Sequence, residues 1–336
     1  MSKKSKETLN YSDDSIIVLE GLEGIRKRFD MYVGSKDTAS FQLVKEVVDN
    51  SVDEALNGYA TKITVEYFPV TNRVVIEDDG RGLPTGMHTK MKKPTIEVLF
   101  TYLHAGGKFN KHSFKVSGGK NGIGVKATNA LSKDLLVESF RDGEHFTMKF
   151  NQGKVVEQLK KVGSTTKHGT KISFTPDDEI LGEYAKLEPA ILKEELDKRA
   201  YINAGLIIEL KIGKQTTKFV HENGIEDYLR DMNKDPMSEI IGFEFDDKNH
   251  NNYQVVFNYA NGTGETIKSF VNGIVTSKGT HETGFKTGLT NAMIDFIKKN
   301  NLLPKKLEGL EIKGDDVREG LFAILNLKHV APEFKG

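Results

Sequence analysis

Residues 41–57, Phe41-Gln-Leu-Val-Lys-Glu-Val-Val-Asp-Asn-Ser-Val-Asp-Glu-Ala-Leu-Asn57, form a helix with two incompatible faces. Val44, Val47, Val48, Val52, Ala55 and Leu56 recur at three- and four-residue steps, a stripe that has to be buried. Gln42, Glu46, Asn50, Asp53 and Glu54 fall on the other side, and Glu46 and Asn50, four apart, meet on one face. Gly58 stands where a helix-ending glycine is expected. Taken alone, the polar side fits either a solvated face or a site. Two later stretches favour a site: a strand pair ending in Asp78-Asp-Gly-Arg-Gly-Leu-Pro84, and a glycine-rich segment from Gly106 to Gly124.

At 336 residues the chain is long enough for a real core and for two domains. Lys+Arg and Asp+Glu are both 48, so bulk charge gives no argument for nucleic-acid binding, although a local basic patch stays open. There is no cysteine, which excludes disulfides, thiolate metal sites and a cysteine nucleophile, and fits a cytoplasmic protein. No apolar run reaches membrane-spanning length, and the lysine-rich start lacks the apolar stretch of a secretory signal. The nine histidines are scattered without metal-ligand spacing.

The pattern predicts a polar arm over 1–15, a short helix over 21–28 and the central helix over 40–57. A hairpin follows at 62–68 and 73–77, with its turn at 69–72. Helices are expected at 95–103, 124–131 and 187–202. Strands are expected at 135–141, 145–151, 154–161, 170–175 and 206–212. After a helix and linker over 221–235, a new unit begins near Pro236, with strands at 239–245, 253–259 and 265–275, a helix at 285–300 and a last strand at 321–328. Both units read as α+β, the first with a mostly antiparallel sheet.

The residue types suggest a chemistry. A carboxylate on a rigid helix, as at Glu46, can take a proton from an attacking water, which typically contributes about 10²–10⁴-fold to rate. Asn50, one turn on, offers a neutral oxygen suited to Mg²⁺. Asp78 ends a strand; its carboxylate accepts hydrogen bonds and so suits the exocyclic amine of adenine, although an ordinary turn with a solvated Asp also fits Asp-Asp-Gly. Ser117-Gly-Gly-Lys-Asn-Gly-Ile-Gly124 opens a helix, where backbone N–H groups attract anions, with Lys108, Lys115 and Lys120 adding positive charge. A surface loop is the other reading of that segment. The spacing matches neither Gly-x-x-x-x-Gly-Lys-Ser/Thr nor Gly-x-Gly-x-x-Gly, which disfavours P-loop and Rossmann folds.

The ordered set resembles the GHKL (Bergerat) ATPases, and within them the ATPase region of type II DNA topoisomerases of the gyrase B and topoisomerase IV (ParE) kind. The resemblance lies in Tyr11-Ser-Asp-Asp-Ser-Ile-Ile-Val-Leu-Glu-Gly-Leu-Glu-Gly-Ile-Arg-Lys-Arg28, Glu46-Val-Val-Asp-Asn-Ser-Val-Asp-Glu-Ala-Leu56, Asp78-Asp-Gly-Arg-Gly-Leu-Pro-Thr-Gly86, Leu103-His-Ala-Gly-Gly-Lys-Phe109 and Gly314-Asp-Asp-Val-Arg-Glu-Gly-Leu321, and so spans nearly the whole chain. It implies an α+β sandwich of helices on a mixed, mostly antiparallel sheet over 16–220, then a smaller α+β transducer over 221–336. It further implies ATP and Mg²⁺ as ligands. Glu46 would be the general base, supported by Gln42, and Asn50 the metal ligand. Asp78 would read adenine, flanked by Arg81, Gly82 and Pro84, with Thr170 near it and Arg141 at the pocket mouth. Lys108 and Gly119, Lys120, Asn121, Gly122, Ile123, Gly124 and Val125 would surround the phosphates. Tyr11 and Ile16 would belong to an arm that reaches the nucleotide of a second copy. Implied partners are DNA, a gyrase A or ParC-type subunit and a second copy of the chain, with no membrane.

The chain departs from the family pattern in places. Gln42 stands where bacterial members usually carry His; it can hydrogen-bond Glu46 but cannot carry charge. Phe114 replaces a nucleotide-contacting Tyr, Phe29-Asp30 a Pro-Gly, and Lys120-Asn121 a Leu-His. The sequence ends at Glu333-Phe-Lys-Gly336, before the family's Gln-Thr-Lys, so the expectation is a truncated region that binds ATP better than it hydrolyses it. An ATP-gated clamp of the same superfamily without topoisomerase activity is the alternative, and gyrase and topoisomerase IV are not separated.

Overall fold

In the computed structural model of the chain, which describes residues 21–109, 114–119, 122–307 and 311–334, the two-faced segment lies within α3 (Lys36–Leu56). Two short helices, α1 (Glu23–Lys27) and α2 (Asp30–Val33), precede it. Leu43, Val44, Val47, Val48 and Val52 are buried, as their spacing requires. They rest on a sheet built from β1 (Lys62–Phe68), β2 (Arg73–Asp78), β3 (Ser132–Arg141), β4 (Glu144–Asn151), β5 (Lys154–Ser164), β6 (Gly169–Pro176), β7 (Ile207–Ile212) and β8 (Gln215–Phe219). The strand order is β5-β4-β3-β6-β2-β1-β7-β8. Only β1 with β7 is parallel; the other pairings are antiparallel.

One face of this sheet carries the core. Ile63, Val65 and Tyr67 of β1 and Val74 and Ile76 of β2 are buried at alternate positions, the period of a strand with one covered side. The helices α4 (Thr95–Thr101), α5 (Gly124–Ala130), α6 (Asp178–Leu181) and α7 (Pro189–Ile202) join α3 on it. This is the layering of helices on a mostly antiparallel sheet that the sequence implies.

A second sheet holds β9 (Ile241–Asp246), β10 (Asn252–Tyr259), β11 (Glu265–Val271), β12 (Ile274–Thr276) and β13 (Leu321–Lys328), in the order β12-β11-β13-β10-β9. Its inner strands are covered on both faces, whereas every residue of the edge strand β9 is exposed. Val256, Phe270 and Ile324 pack with Tyr201 and Ile202 of α7 and with Ile225, Tyr228 and Leu229 of α8 (Ile225–Met232), which fastens it to the first unit. Val255, Phe257, Leu321 and Ala323 face the other way, under Phe285 and Leu289 of α9 (Thr280–Lys299). A short α10 (Gly314–Arg318) leads into β13; Asp316 accepts a hydrogen bond from the Lys313 N–H at 2.8 Å and so caps it.

The structure corrects the sequence reading in three places. The strand expected over 265–275 is two, because Asn272 and Gly273 both take left-handed φ values (51° and 79°) and turn the chain back on itself. The helix expected from 285 starts five residues earlier, through Gly284, because packing of Phe285 and Leu289 outweighs glycine's low propensity. The edge strand β8 has no apolar alternation by which it could be read. The arm expected over 1–15 lies outside the described residues. Among the described residues no helix is long and apolar enough to cross a membrane.

Candidate active site

From Glu46 to Asn57 the polar face of α3 meets groups from other elements. The Glu46 carboxylate presses against the α-carbon of Gly124, the first residue of α5: a Cβ there would lie 1.8 Å from Glu46 Oε2, so a larger residue would push the carboxylate aside. Burial pushes the Glu46 carboxyl above the ordinary glutamate range, against the opposing charge of Lys45, while Asp49 adds to the rise. Behind it, Arg199 of α7 donates to Asp49 Oδ1 at 2.9 Å and Lys45 pairs with Asp49 at 2.7 Å. Gln42 lies half-buried one turn before Glu46 and makes no hydrogen bond to it.

One turn on, the Lys108 ammonium donates to Asn50 Oδ1 and pairs with Asp53 Oδ2. Asp53 is buried, and its carboxylate also accepts from Ser117 Oγ and from the Gly118 N–H, each at 3.0 Å. Asn57 extends the dock: its Oδ1 accepts from the Lys115 N–H at 2.9 Å and its Nδ2 donates to Val116 O at 2.8 Å. The last turns of α3 thus hold residues 115–118. Gly119 lies against the Lys108 ammonium. Gly122 and Ile123 lead into α5, where Val125 packs on the core. Lys126 is buried, and its ammonium donates to Ala105 O; burial, then Lys108 nearby, brings its pKa down to about 8.

On the third side, Asp78 is buried at the end of β2. Its carboxylate accepts from Ser51 Oγ at 2.8 Å, from the Gly80 N–H at 3.0 Å and from the Thr170 N–H at 3.3 Å. Burial pushes its pKa up to about 6, against those hydrogen bonds. Its neighbour Asp79 points away from this cluster; it accepts from the Thr61 and Lys62 N–H groups at 2.7 and 2.9 Å and fixes the start of β1. Arg81 forms a forked pair with Glu54, Nε to Oε2 at 3.0 Å and Nη2 to Oε1 at 2.7 Å, with its guanidinium between the Tyr59 and Phe114 rings, 3.8 and 4.8 Å from their centroids. Gly82 O accepts from Arg141 Nη1 at 3.0 Å, and Pro84 is exposed beyond it.

One helix therefore brings together Glu46, Asn50, Lys108, Gly119, Gly124, Asp78, Arg81 and Thr170. Tyr11, Ile16, Lys120 and Asn121 lie outside the described residues. The sequence reading placed Asp53 and Glu54 on the polar side of the helix without giving them a role, and it missed Ser51 and Asn57. A signal was available, because 46, 50, 53, 54 and 57 follow helical spacing on one face. Lys126 had none, since a lysine three residues into a helix reads as solvated. Among the described residues no group of three or more His, Cys, Asp or Glu is placed to hold a metal ion.

Comparison with known proteins agrees with this architecture. Residues 36–180 match the family model of histidine kinase-, DNA gyrase B-, and HSP90-like ATPases, and residues 224–336 match that of DNA gyrase B. The chain is 40% identical to the DNA gyrase B protein of Clostridium acetobutylicum, over 97% of this chain and 52% of that protein. It spans about half the length of the curated relatives it matches. Its structure is similar to the 43K ATPase domain of Thermus thermophilus gyrase B solved with an aminocoumarin, with a TM-score of 0.78 and 32% identity over 94% of this chain and 82% of that one. It is also similar to the topoisomerase IV ATP-binding domain of Francisella tularensis solved with a small-molecule inhibitor, with a TM-score of 0.80 and 31% identity over 95% of this chain and 85% of that one. The chain belongs to the family of gyrase B and topoisomerase IV B ATPase regions.

Proposed function

We propose that the chain binds and hydrolyses ATP as the nucleotide-gated region of a type II DNA topoisomerase. In this reading residues 16–220 bind the nucleotide, residues 221–336 act as the transducer, and the arm over 1–15 joins a second copy. The observation that carries it is the convergence on α3: a buried carboxylate at Asp78, a carboxylate pressed on Gly124 and a lysine-bearing glycine segment, all tied to one helix.

The Asp78 carboxylate accepts a hydrogen bond from the 6-amine of adenine, where guanine carries a carbonyl oxygen that cannot donate, and Thr170 lies beside it. Arg81, held by Glu54, and Pro84 border the base. Lys108 and the segment from Gly119 to Val125 face the phosphates. Glu46 takes the proton of the attacking water; its raised carboxyl suits a base. Asn50 fits a Mg²⁺ ligand, because its side-chain oxygen already accepts a cation, the Lys108 ammonium. When bound, Mg²⁺ would neutralise phosphate charge. The cycle would drive dimerisation and passage of DNA in the cytoplasm, with a gyrase A or ParC-type partner.

Calorimetry with a non-hydrolysable ATP analogue and Mg²⁺, beside the GTP analogue, tests this. Binding of the ATP analogue only, lost in Asp78→Asn, is expected. Equal binding of both analogues would sink the role given to Asp78.

A further inference from the structure

Gly118 stands in the glycine-rich segment, yet its bare α-carbon faces the second unit. A Cβ there would lie 2.6 Å from the main-chain oxygen of Asn272 and 3.5 Å from Ile274 Cγ1. Asn272 opens the left-handed turn between β11 and β12, and its side chain is buried. Its Nδ2 donates to Ser117 O at 2.9 Å and to His329 O at 2.8 Å, and its Oδ1 accepts from the His329 N–H at 2.7 Å. One amide group therefore ties the end of β13 to the glycine-rich segment.

The 117–118 peptide is gripped from both sides. Its C=O accepts from Asn272 of the second unit, and its N–H donates to Asp53 of α3. Because a peptide is planar, fixing both ends of its dipole fixes its orientation. The Asp53 carboxylate also holds Lys108, which reaches Asn50. An unbroken chain of polar contacts thus runs from β13 to the face of α3 that carries Asn50.

We propose that Asn272 is a positioning residue for nucleotide binding. It holds the 117–118 peptide in the orientation that keeps Asp53 and Lys108 in place, so the second unit sets the position of Lys108 on the face of α3. This rests on the ATP reading above. A displacement of the β11–β12 turn frees the peptide, and binding that needs the peptide in place draws the turn back; the coupling is reciprocal.

The test uses the full chain and the non-hydrolysable ATP analogue with Mg²⁺. Asn272→Gly keeps the left-handed turn and deletes the amide. We expect affinity about fivefold weaker, from the loss of roughly one net hydrogen bond at the segment. In the ligand-free protein the Gly118 amide exchanges faster with solvent in Asn272→Gly than in Asp78→Asn. Gly118→Ala, which drives a methyl against Asn272 O, gives the same loss of affinity from the other partner. A double-mutant cycle of Asn272→Gly with Asp53→Asn distinguishes positioning from a merely structural role: positioning makes the combined loss smaller than the product of the two. Unchanged affinity in both Asn272→Gly and Gly118→Ala, or strict multiplication in the cycle, overturns the inference. Absence of binding by the unaltered chain overturns the ATP reading itself, and this inference with it.

Discussion

The helices α3 and α9 are nearly equal in length, 21 and 20 residues, and each lies on a sheet, yet nine residues of α3 are buried and none of α9. The apolar side of α3 sits in the main core, and its polar side is roofed by Asp78, Arg81 and residues 114–119. The apolar side of α9 rests on the second sheet through Phe285 and Leu289, while Thr283, Gly284, Thr287 and Gly288 face outward. A polar face is buried only where each group finds a partner, because an unpaired buried group costs roughly 1–3 kcal/mol. On α3 those partners are the site. On α9 the polar contacts only fasten the helix to its sheet: Lys286 pairs with Glu265 at 2.6 Å, His281 Nε2 lies 3.1 Å from Ser269 Oγ and from Thr276 Oγ1, and Thr290 Oγ1 accepts from Arg318 Nη1 at 3.3 Å.

That contrast breaks first at Glu46. Glu46→Gln removes the base but leaves the packing, so turnover should fall about 10²–10⁴-fold. Stability should not fall, since burial penalises the charge that the substitution deletes. Steady-state ATPase assays beside a thermal melt check both. A variant that loses turnover and unfolds together would make Glu46 a structural residue.

Core truncation comes next. Leu43 is fully buried on α3, whereas Leu289 on α9 is partly buried. Leu43→Ala should cost about 3 kcal/mol, from the lost methylenes and the cavity left behind. Leu289→Ala should cost under about 1.5 kcal/mol, because solvent reaches the gap. Urea midpoints at fixed slope give the comparison. Equal losses would mean that α9 is as firmly seated as α3.

The sequence carried the α3 face well because helical spacing is a local property: the stripe, the ending glycine and the Glu46–Asn50 pair are all readable from neighbours. It also carried β1 and β2 to within a residue, since one covered side imposes strict alternation. What it did not carry depends on residues far apart in the chain. Nothing near Ser51 says that its hydroxyl meets Asp78, and nothing near Gly118 says that Asn272 sits against it. In the sequence Gly118 reads as room for phosphate, although the space belongs to another turn. The Asn-Gly at 272–273 is legible as a turn, but the β-branched residues around it read as one continuous strand.

Asp78 gives the sharpest form of the contrast, because it pits the site against stability. Its pKa is about 6 folded, against an ordinary value of 3.8. Between those values the folded protein keeps a proton that the unfolded chain has released, so the contribution of this group to stability falls as pH rises from about 4 to about 6 and stays low above that. Asp78→Asn removes the buried charge and can keep the hydrogen bonds: its amide oxygen accepts from the Gly80 and Thr170 N–H groups, and its NH₂ donates to Ser51 Oγ. The ligand-free variant should therefore be more stable than the unaltered chain above pH 6, by on the order of 2 kcal/mol, with the difference shrinking toward pH 4. Urea unfolding at pH 4.5 and pH 7.5 measures this. A variant less stable at pH 7.5 would show that the carboxylate is held by more than these three donors, and that the polar roof over α3 contributes to the fold as well as to the site.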